Sequence, residues 1–495
     1  MADAFKDVVV VIPGILGSRL VRKEGSRETT VWDLSVKGLP RALLSLVNGD
    51  LALSNPDRRP DDKIVATELF KFQLLPGLVG VDDYTPLLQA LKKLLPNPLQ
   101  LISFPYDWRA SNRFAAECLK SRALDALAKW KEASNHPQAK LWLVCHSMGG
   151  LVARYFCEHL DGAKHTRAIV TFGTPHRGAA KALGALSNGL KFGPIDLSPT
   201  VRSLPSVYEL LPLYRAVRIP APPHTLLMHR VADFFGLDGI AGADSLSPAG
   251  RGTPATPGSL QPLPGLDRAM LQRALQFHAA IRVPAEQRQR DGVASPYRQL
   301  PLFNRRQPTL LSARLAGPVL EMLDTYPEPR QGAIVDEASG GDGTVPSFSA
   351  MPIEWDDDSS QGVPLTDMHA AIQCAEVGLE TLLNWLQPVD LHGKKGIRGS
   401  VDADLQAVSL ASPTAVALGE PLVLTLAAIG LMPVTVTLQS AEGGGAKSTK
   451  LLLPGKDVAR TVQFKPTAPG AFRVSVQPDD HLRPAVSDWV YVFDK

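Results

Sequence analysis

From Val8 to about residue 388 the chain alternates between two patterns. Short apolar runs rich in branched or aromatic residues read as buried strands: VVVVI (8–12), LQLISF (99–104), LWLVC (141–145) and AIVTFG (168–173). Between them lie amphipathic stretches such as 113–133, where Phe114, Cys118, Leu124, Leu127 and Trp130 recur at roughly helical spacing. This alternation predicts an α/β unit over residues 1–390, with a mostly parallel sheet flanked by helices. Two regions break the rhythm. Residues 18–80 show apolar positions at helical spacing and no clean strand, and residues 195–290 carry the Pro/Gly-rich GADSLSPAGRGTPATPGSLQPLPG. Both read as insertions that cap the sheet. From about Val401 the helical period disappears. LVLTLAA, VTVTLQS, KLLLP, RTVQF, FRVSVQ and WVYVF alternate apolar and polar positions between turn signals, which predicts an immunoglobulin-like all-β sandwich over 401–495.

Composition narrows the class. With 52 basic and 49 acidic residues the formal charge is only +3, and no block of like charge stands out, so no nucleic-acid partner is expected. The four cysteines, Cys118, Cys145, Cys157 and Cys374, form no CxxC pair and no zinc spacing. They read as free thiols in a reducing compartment, and no metal or cofactor is expected. The N-terminus MADAFKDVVVVIPG has no basic segment followed by a long apolar core. The apolar stretch LVLTLAAIGLMPVTVTL is broken by Gly430 and Pro433, which favours two strands over a membrane span of about 20 residues. The expected location is cytoplasmic.

The chemistry centres on LVCHSMGGLVARYF. Ser147 falls between the apolar strand LWLVC and a helix-like run, the setting of a nucleophile elbow. Strand and helix pass close there, so small flanking residues are needed. Gly149 fits downstream, and Cys145 stands where glycine is usual, giving C-x-S-x-G. A plain turn serine that caps the helix is the competing explanation. A nucleophilic hydroxyl also needs a base, an acid to orient the base, and an oxyanion hole. In the α/β-hydrolase plan these follow in the order Ser, Asp, His. GGDGTVPSFSA supplies Asp342, and PLTDMHAAIQC supplies His369 at the start of a helix whose Ile372, Leu379, Leu382, Leu383 and Leu386 face a core. His146 adjoins the serine and points elsewhere on the elbow. His176 follows a strand and could line the cleft, and His392 lies in the linker to the sandwich. The backbone amides of Met148 and of Ile15, in VIPGILGSRL, are the expected oxyanion donors, with Gly14 and Gly17 allowing close approach.

Taken together, VIPGILGSRL, FPYDWR (104–109), HSMGG, FGTPHRG, GDGTVP and His369 resemble the lecithin–cholesterol acyltransferase and lysosomal phospholipase family of α/β-hydrolases over roughly residues 8–388. The resemblance implies Ser147, Asp342 and His369 as a triad, and Ile15 and Met148 as oxyanion donors. It implies Tyr106, Asp107, Trp108 and Arg109 as structural supports. Secreted members carry a disulfide near the lid and a signal peptide. Residues 18–80 contain no cysteine, so the chain looks closer to a bacterial intracellular branch.

The resulting expectation is a lipase, phospholipase or acyltransferase working on lipid esters through an acyl-enzyme, with a phospholipid as the foremost substrate and peripheral membrane contact. The alternatives are a soluble carboxylesterase for smaller esters, and an inactive scaffold that binds a partner through the sandwich; the sequence names no partner for that sandwich. An acyl chain leaves a bilayer at a cost of about 0.8 kcal/mol per CH₂, so apolar surface must adjoin the cleft. LPRALLSLV offers Leu39, Leu43, Leu44, Leu46 and Val47, with Arg41 for phosphate. Replacing Leu43 and Leu44 with serine is expected to lower activity on vesicles while sparing a short soluble ester. Equal losses on both substrates would make these leucines part of the cap core.

Overall fold

The computed structural model describes residues 5–33, 45, 48–55, 60, 63–70, 73–75, 79–81, 84–95, 97–192, 195–219, 227–237, 260–317, 319–330, 333–337, 340–355, 362–387, 408–413, 415–427, 433–440, 447–453, 459–479 and 485–493. Six strands form its central sheet: β1 (Val8–Ile12), β2 (Leu101–Ser103), β3 (Leu141–His146), β4 (Thr166–Phe172), β5 (Arg298–Asn304) and β6 (Val363–Leu365). They lie in the order β6-β5-β4-β3-β1-β2, and every neighbouring pair is parallel. The continuous apolar runs are explained by burial on both faces. All five residues of β1 and all six of β3 are buried. Each apolar side chain there contributes about 1.5–3 kcal/mol of transfer free energy.

The strand order reverses at β1. The chain runs outward from β1 to β2 and then crosses back to β3, so the loops after β1 and β3 open side by side at the carboxyl edge. That is where an open α/β sheet places its ligand site. Helices α1 (Asn112–Ser134), α2 (Gly149–His159) and α3 (Arg268–Arg290) pack on one another along one face. The helix Thr85–Leu94 meets α4 (Glu376–Leu386) on the other. In α1 the buried stripe is Ala115, Ala116, Leu119, Ala123, Leu127 and Trp130, so small residues rather than Phe114 and Cys118 face α2 and the sheet.

Both irregular regions hold regular elements that the pattern does not show. Within 18–80 the described residues form a three-stranded antiparallel sheet, with Ser18–Glu24 between Arg27–Trp32 and Ile64–Leu69. Buried apolar residues there come as adjacent pairs, Leu20 with Val21 and Val31 with Trp32, or five residues apart, Ile64 and Leu69, which obscures the two-residue period that marks a half-buried strand. Residues 34–44, 46 and 47, which hold most of LPRALLSLV, lie outside the described residues. In the second region, 268–290 forms one long helix. It is the crossover helix α3, which carries the chain from β4 to β5 across the face of α2. A third excursion was not foreseen: Ser312–Ala316 and Val319–Leu323 pair with each other and join Val217–Ile219 and Leu227–His229 in a four-stranded sheet.

The C-terminal strands form two sheets. One contains Ser409–Ala411, Leu422–Ala427 and Ala459–Phe464, and the other Ala415–Ala417, Val434–Ser440, Lys447–Leu452, Gly470–Pro478 and Val486–Phe493. Leu422, Leu424 and Leu426 from the first share a core with Val434, Val436, Val474 and Val490 from the second. The molecule is therefore an α/β-hydrolase followed by an all-β sandwich. The boundary proposed at 390–401 falls in a stretch outside the described residues. Among the described residues no helix is long and apolar enough to cross a membrane.

A buried carboxyl anchors the start of α1. Glu209 accepts from the Asn112 amide at 2.8 Å and from Ser111 Oγ at 2.5 Å. Burial nonetheless dominates and pushes its pKa up from 4.5 to about 7. The folded state then holds this proton more tightly than the unfolded chain. The contribution is full below about pH 4.5 and is lost as pH rises through about 7. Glu209→Gln keeps an acceptor and cannot ionise, so it is expected to flatten the fall in stability across that window. Urea unfolding at the two ends of the window checks this, and an unchanged pH slope counts against it.

Candidate active site

Ser147 sits directly after β3 with φ +50°. A serine is held in this left-handed conformation only when its surroundings over-determine it. Its amide donates to the Phe172 carbonyl at 2.9 Å, and its carbonyl accepts from Thr174 Oγ1 at 2.8 Å and from the Gly150 amide at 3.1 Å. The turn is tight because α2 passes over the end of β1. A Cβ on Gly149 would lie 2.5 Å from the Pro13 carbonyl oxygen and 2.7 Å from that of Ile12. Cys145, where glycine is usual, is buried as a free thiol in β3.

Asp342 and His369 reach the serine from two other loops. His369 Nε2 lies 2.8 Å from Ser147 Oγ, and its Nδ1 lies 2.7 Å from Asp342 Oδ2. Asp342 Oδ1 accepts from the amides of Thr344 at 3.0 Å and Val345 at 2.7 Å. The His369 amide also donates to the Asp342 carbonyl at 2.7 Å. A carboxylate so placed can only accept, so Nδ1 carries the ring proton and Nε2 presents its lone pair to the serine hydroxyl. The three side chains are 5%, 2% and 2% exposed for Ser147, Asp342 and His369, so water screens the relay little. His369 does not open a helix as expected. It lies in a turn seven residues before α4 begins at Glu376, and Leu382 and Leu386 are the fully buried leucines of that helix.

The loop after β1 is fixed from three directions. Tyr106 Oη donates to the Pro13 carbonyl at 3.0 Å, while the Tyr106 amide and Trp108 Nε1 hold the Ser18 hydroxyl and carbonyl. Trp32 Nε1 donates to the Leu16 carbonyl, and its ring meets Trp108 edge-on at 5.0 Å. Asp107 takes the Arg109 guanidinium bidentately at 2.9 and 2.7 Å, closing the FPYDWR segment on itself. A Cβ on Gly14 would approach that of Ser147 to 2.9 Å, so this loop touches the elbow. Among the described residues, the amides of Ile15 and Met148 donate to no acceptor. Met148 is also the N-cap of α2, where the helix dipole favours negative charge.

Two residues of this region have roles that the sequence does not show. Tyr84 Oη accepts from the Gly14 amide at 3.0 Å and donates to His146 Nδ1 at 2.9 Å. His146 Nε2 then donates to the His369 carbonyl at 3.0 Å. A carbonyl only accepts, which fixes the His146 tautomer, and burial holds its pKa well below the ordinary value. His146 therefore does not simply point away from the site. It ties the loop after β1 to the histidine loop. Nothing in the pattern around Tyr84 could have indicated this, since its partners are 70 and 62 residues away. His176 does not line the cleft. It is buried near Arg154 and Glu354, with burial pushing its pKa down to about 3. His392 lies outside the described residues.

Beside the relay is a pocket walled by Ile15, Pro175, Ala179, Val207, Leu210 and Val345 and reaching Ser147 and His369. Among the described residues lining it, Lys181 is the sole cation. It donates to Thr344 Oγ1 at 3.3 Å, and burial lowers its pKa against the opposing pull of Asp488 and Asp342. Among the described residues no group of histidine, cysteine and carboxylate side chains could hold a metal ion.

The elbow's packing is testable by itself. Gly149→Ala forces a methyl against two backbone carbonyls that cannot yield cheaply, so it is expected to destabilise by about 1–3 kcal/mol. A thermal midpoint equal to that of the parent would show that the strand and helix can part.

The sequence model of the lecithin:cholesterol acyltransferase family matches residues 58–230. That span holds FPYDWR, the elbow and FGTPHRG, and excludes Ile15, Asp342 and His369. The comparison with curated proteins gave no match. Among solved structures, the lipase BlEst2 of Bacillus licheniformis is similar in its mature form at 12% identity, covering 78% of this chain and 94% of that one with a TM-score of 0.28. Its propeptide form is similar at 8% identity, covering 99% and 94% with a TM-score of 0.29. A superoxide reductase (neelaredoxin) from Ignicoccus hospitalis is similar at 10% identity, covering 18% of this chain and 80% of that one with a TM-score of 0.15. The span that carries Ser147, residues 58–230, is thus similar to the lecithin:cholesterol acyltransferase family.

Proposed function

We propose that the protein is a serine acyl hydrolase or acyltransferase that acts on lipid esters through Ser147, His369 and Asp342. The observation that carries this reading is the continuous relay from Asp342 Oδ2 through both ring nitrogens of His369 to Ser147 Oγ, in the tautomer a general base requires. In the first step Ser147 Oγ attacks the ester carbonyl carbon and its proton passes to His369 Nε2. Asp342 stabilises the imidazolium that forms. The negative charge that develops on the carbonyl oxygen falls to the amides of Ile15 and Met148, which have no other acceptor among the described residues. Collapse expels the alcohol, protonated by His369, and leaves an acyl-serine. Water, or a second alcohol in the transferase case, is then deprotonated by His369 and attacks the acyl carbon; the bond to Ser147 Oγ breaks, Oγ takes the proton back from His369, and the acid or new ester leaves.

The predominantly apolar wall of the cavity supports an acyl chain as its occupant. Lys181, beside Thr344, supports an ester that also bears an anionic group, and a phospholipid combines the two. The matched family, named for an acyltransferase, supports the same class of reaction. Contact with a membrane surface and a cytoplasmic location belong to this reading.

Ser147→Ala is expected to lower ester hydrolysis by about 10⁴-fold or more and to abolish labelling by a fluorophosphonate, with the fold intact by circular dichroism. Turnover retained in a clean preparation would remove Ser147 from its role. Turnover of a short ester without release of fatty acid from phospholipid vesicles would favour a soluble carboxylesterase.

A further inference from the structure

We infer that the C-terminal sandwich is a positioning element for the reaction, holding the acid and histidine loops in place through Gln307. The inference rests on Ser147, Asp342 and His369 being the reacting groups. Gln307 follows β5 and is fully buried. Its backbone exchanges two hydrogen bonds with Gly341, the residue before Asp342, at 2.9 and 3.0 Å. Its side-chain nitrogen donates to the Thr366 carbonyl at 3.1 Å, three residues before His369, and to the Val408 carbonyl at 3.3 Å, where the sandwich begins. Its side-chain oxygen accepts from the Leu410 amide at 2.8 Å. Both amide protons are therefore used: the Gln307 side chain joins the histidine loop to the first strand of the sandwich, and its backbone holds the acid loop.

The residues on either side of His369 are bound to the same unit. Met368 packs against the sandwich core, and Ala370 forms a buried cluster with Ala471 and Trp489. Thr366 Oγ1 adds a bond to the Ala485 carbonyl at 3.4 Å. Met368 also abuts the acid loop, since a Cβ on Gly343 would come within 2.5 Å of its methyl. His369 belongs to no helix or strand, so these contacts, with the bonds to Asp342 and His146, define where its ring can lie. A displacement of about 1 Å in a reacting group is enough to cost about 100-fold in rate.

Full-length Gln307→Leu keeps the side-chain volume and removes all three bridges. Trp489→Ala empties the second contact, and Trp489→Phe serves as the conservative control. Amide hydrogen exchange over 340–346 and 362–371 and turnover of a short soluble ester are measured on each. Gln307→Leu and Trp489→Ala are expected to raise exchange in both loops while β3 and β4 stay protected. They should lower kcat about tenfold or more with KM little changed, and Trp489→Phe should stay near the parent. Should Trp489→Ala unfold the sandwich, Gln307→Leu decides. The inference is overturned if exchange at 408–411 rises in Gln307→Leu while both loops and kcat keep their parental values. A parent protein without ester turnover would sink the functional reading, and the loop exchange alone would still decide the positioning role.

Discussion

The structure turns on one requirement, that a single imidazole meet a hydroxyl and a carboxylate simultaneously from opposite edges of its ring. Ser147, Asp342 and His369 arrive on three separate loops, and each loop has its own anchor. The elbow is fixed by the close passage of α2 over β1, and the acid loop by its two amide contacts on Asp342 Oδ1. The histidine loop is held by Asp342, His146 and Gln307. The parallel sheet brings these loops to one edge, yet parallel order alone tolerates errors far larger than a hydrogen bond does. Much of the remaining polar architecture supplies the final ångström.

This explains why polar groups are spent inside the protein around the site. Tyr84 and His146 are almost fully buried, and each is satisfied, so neither leaves an unpaired group in a low-dielectric interior. Their bonds join loops that are far apart in the chain. A network of this kind contributes little net stability per bond, about 0.5–1.5 kcal/mol, but selects one arrangement among many of similar packing.

What could be read beforehand follows from the range of the interactions. Four of the six strands of the central sheet and most strands of the sandwich are legible because their patterns are local, as in VVVVI or VTVTLQS, whereas Arg298–Asn304 and Val363–Leu365 are not. Ser147, Asp342, His369, Ile15 and Met148 were singled out by motif and chain order, and the structure brings them to one place. The strands within 18–80 escape such a reading because their buried residues do not alternate, and α3 is obscured by the Pro/Gly-rich segment before it. Tyr84, Gln307 and the role of His146 were invisible for a different reason. A tyrosine or glutamine bonded across 60 to 100 residues looks like any surface residue until the fold is known.

The chain order of Gln307's partners has a consequence for biosynthesis. The nucleophile emerges from the ribosome well before Asp342 and His369, and Val408 and Leu410 emerge later still. A nascent chain that has released only its elbow holds a hydroxyl without a base. One that stops short of residue 408 leaves the Gln307 side chain with two of its bonds unmade. The bonds that tie the histidine loop to the sandwich are thus completed only after the three residues of the relay have all been made.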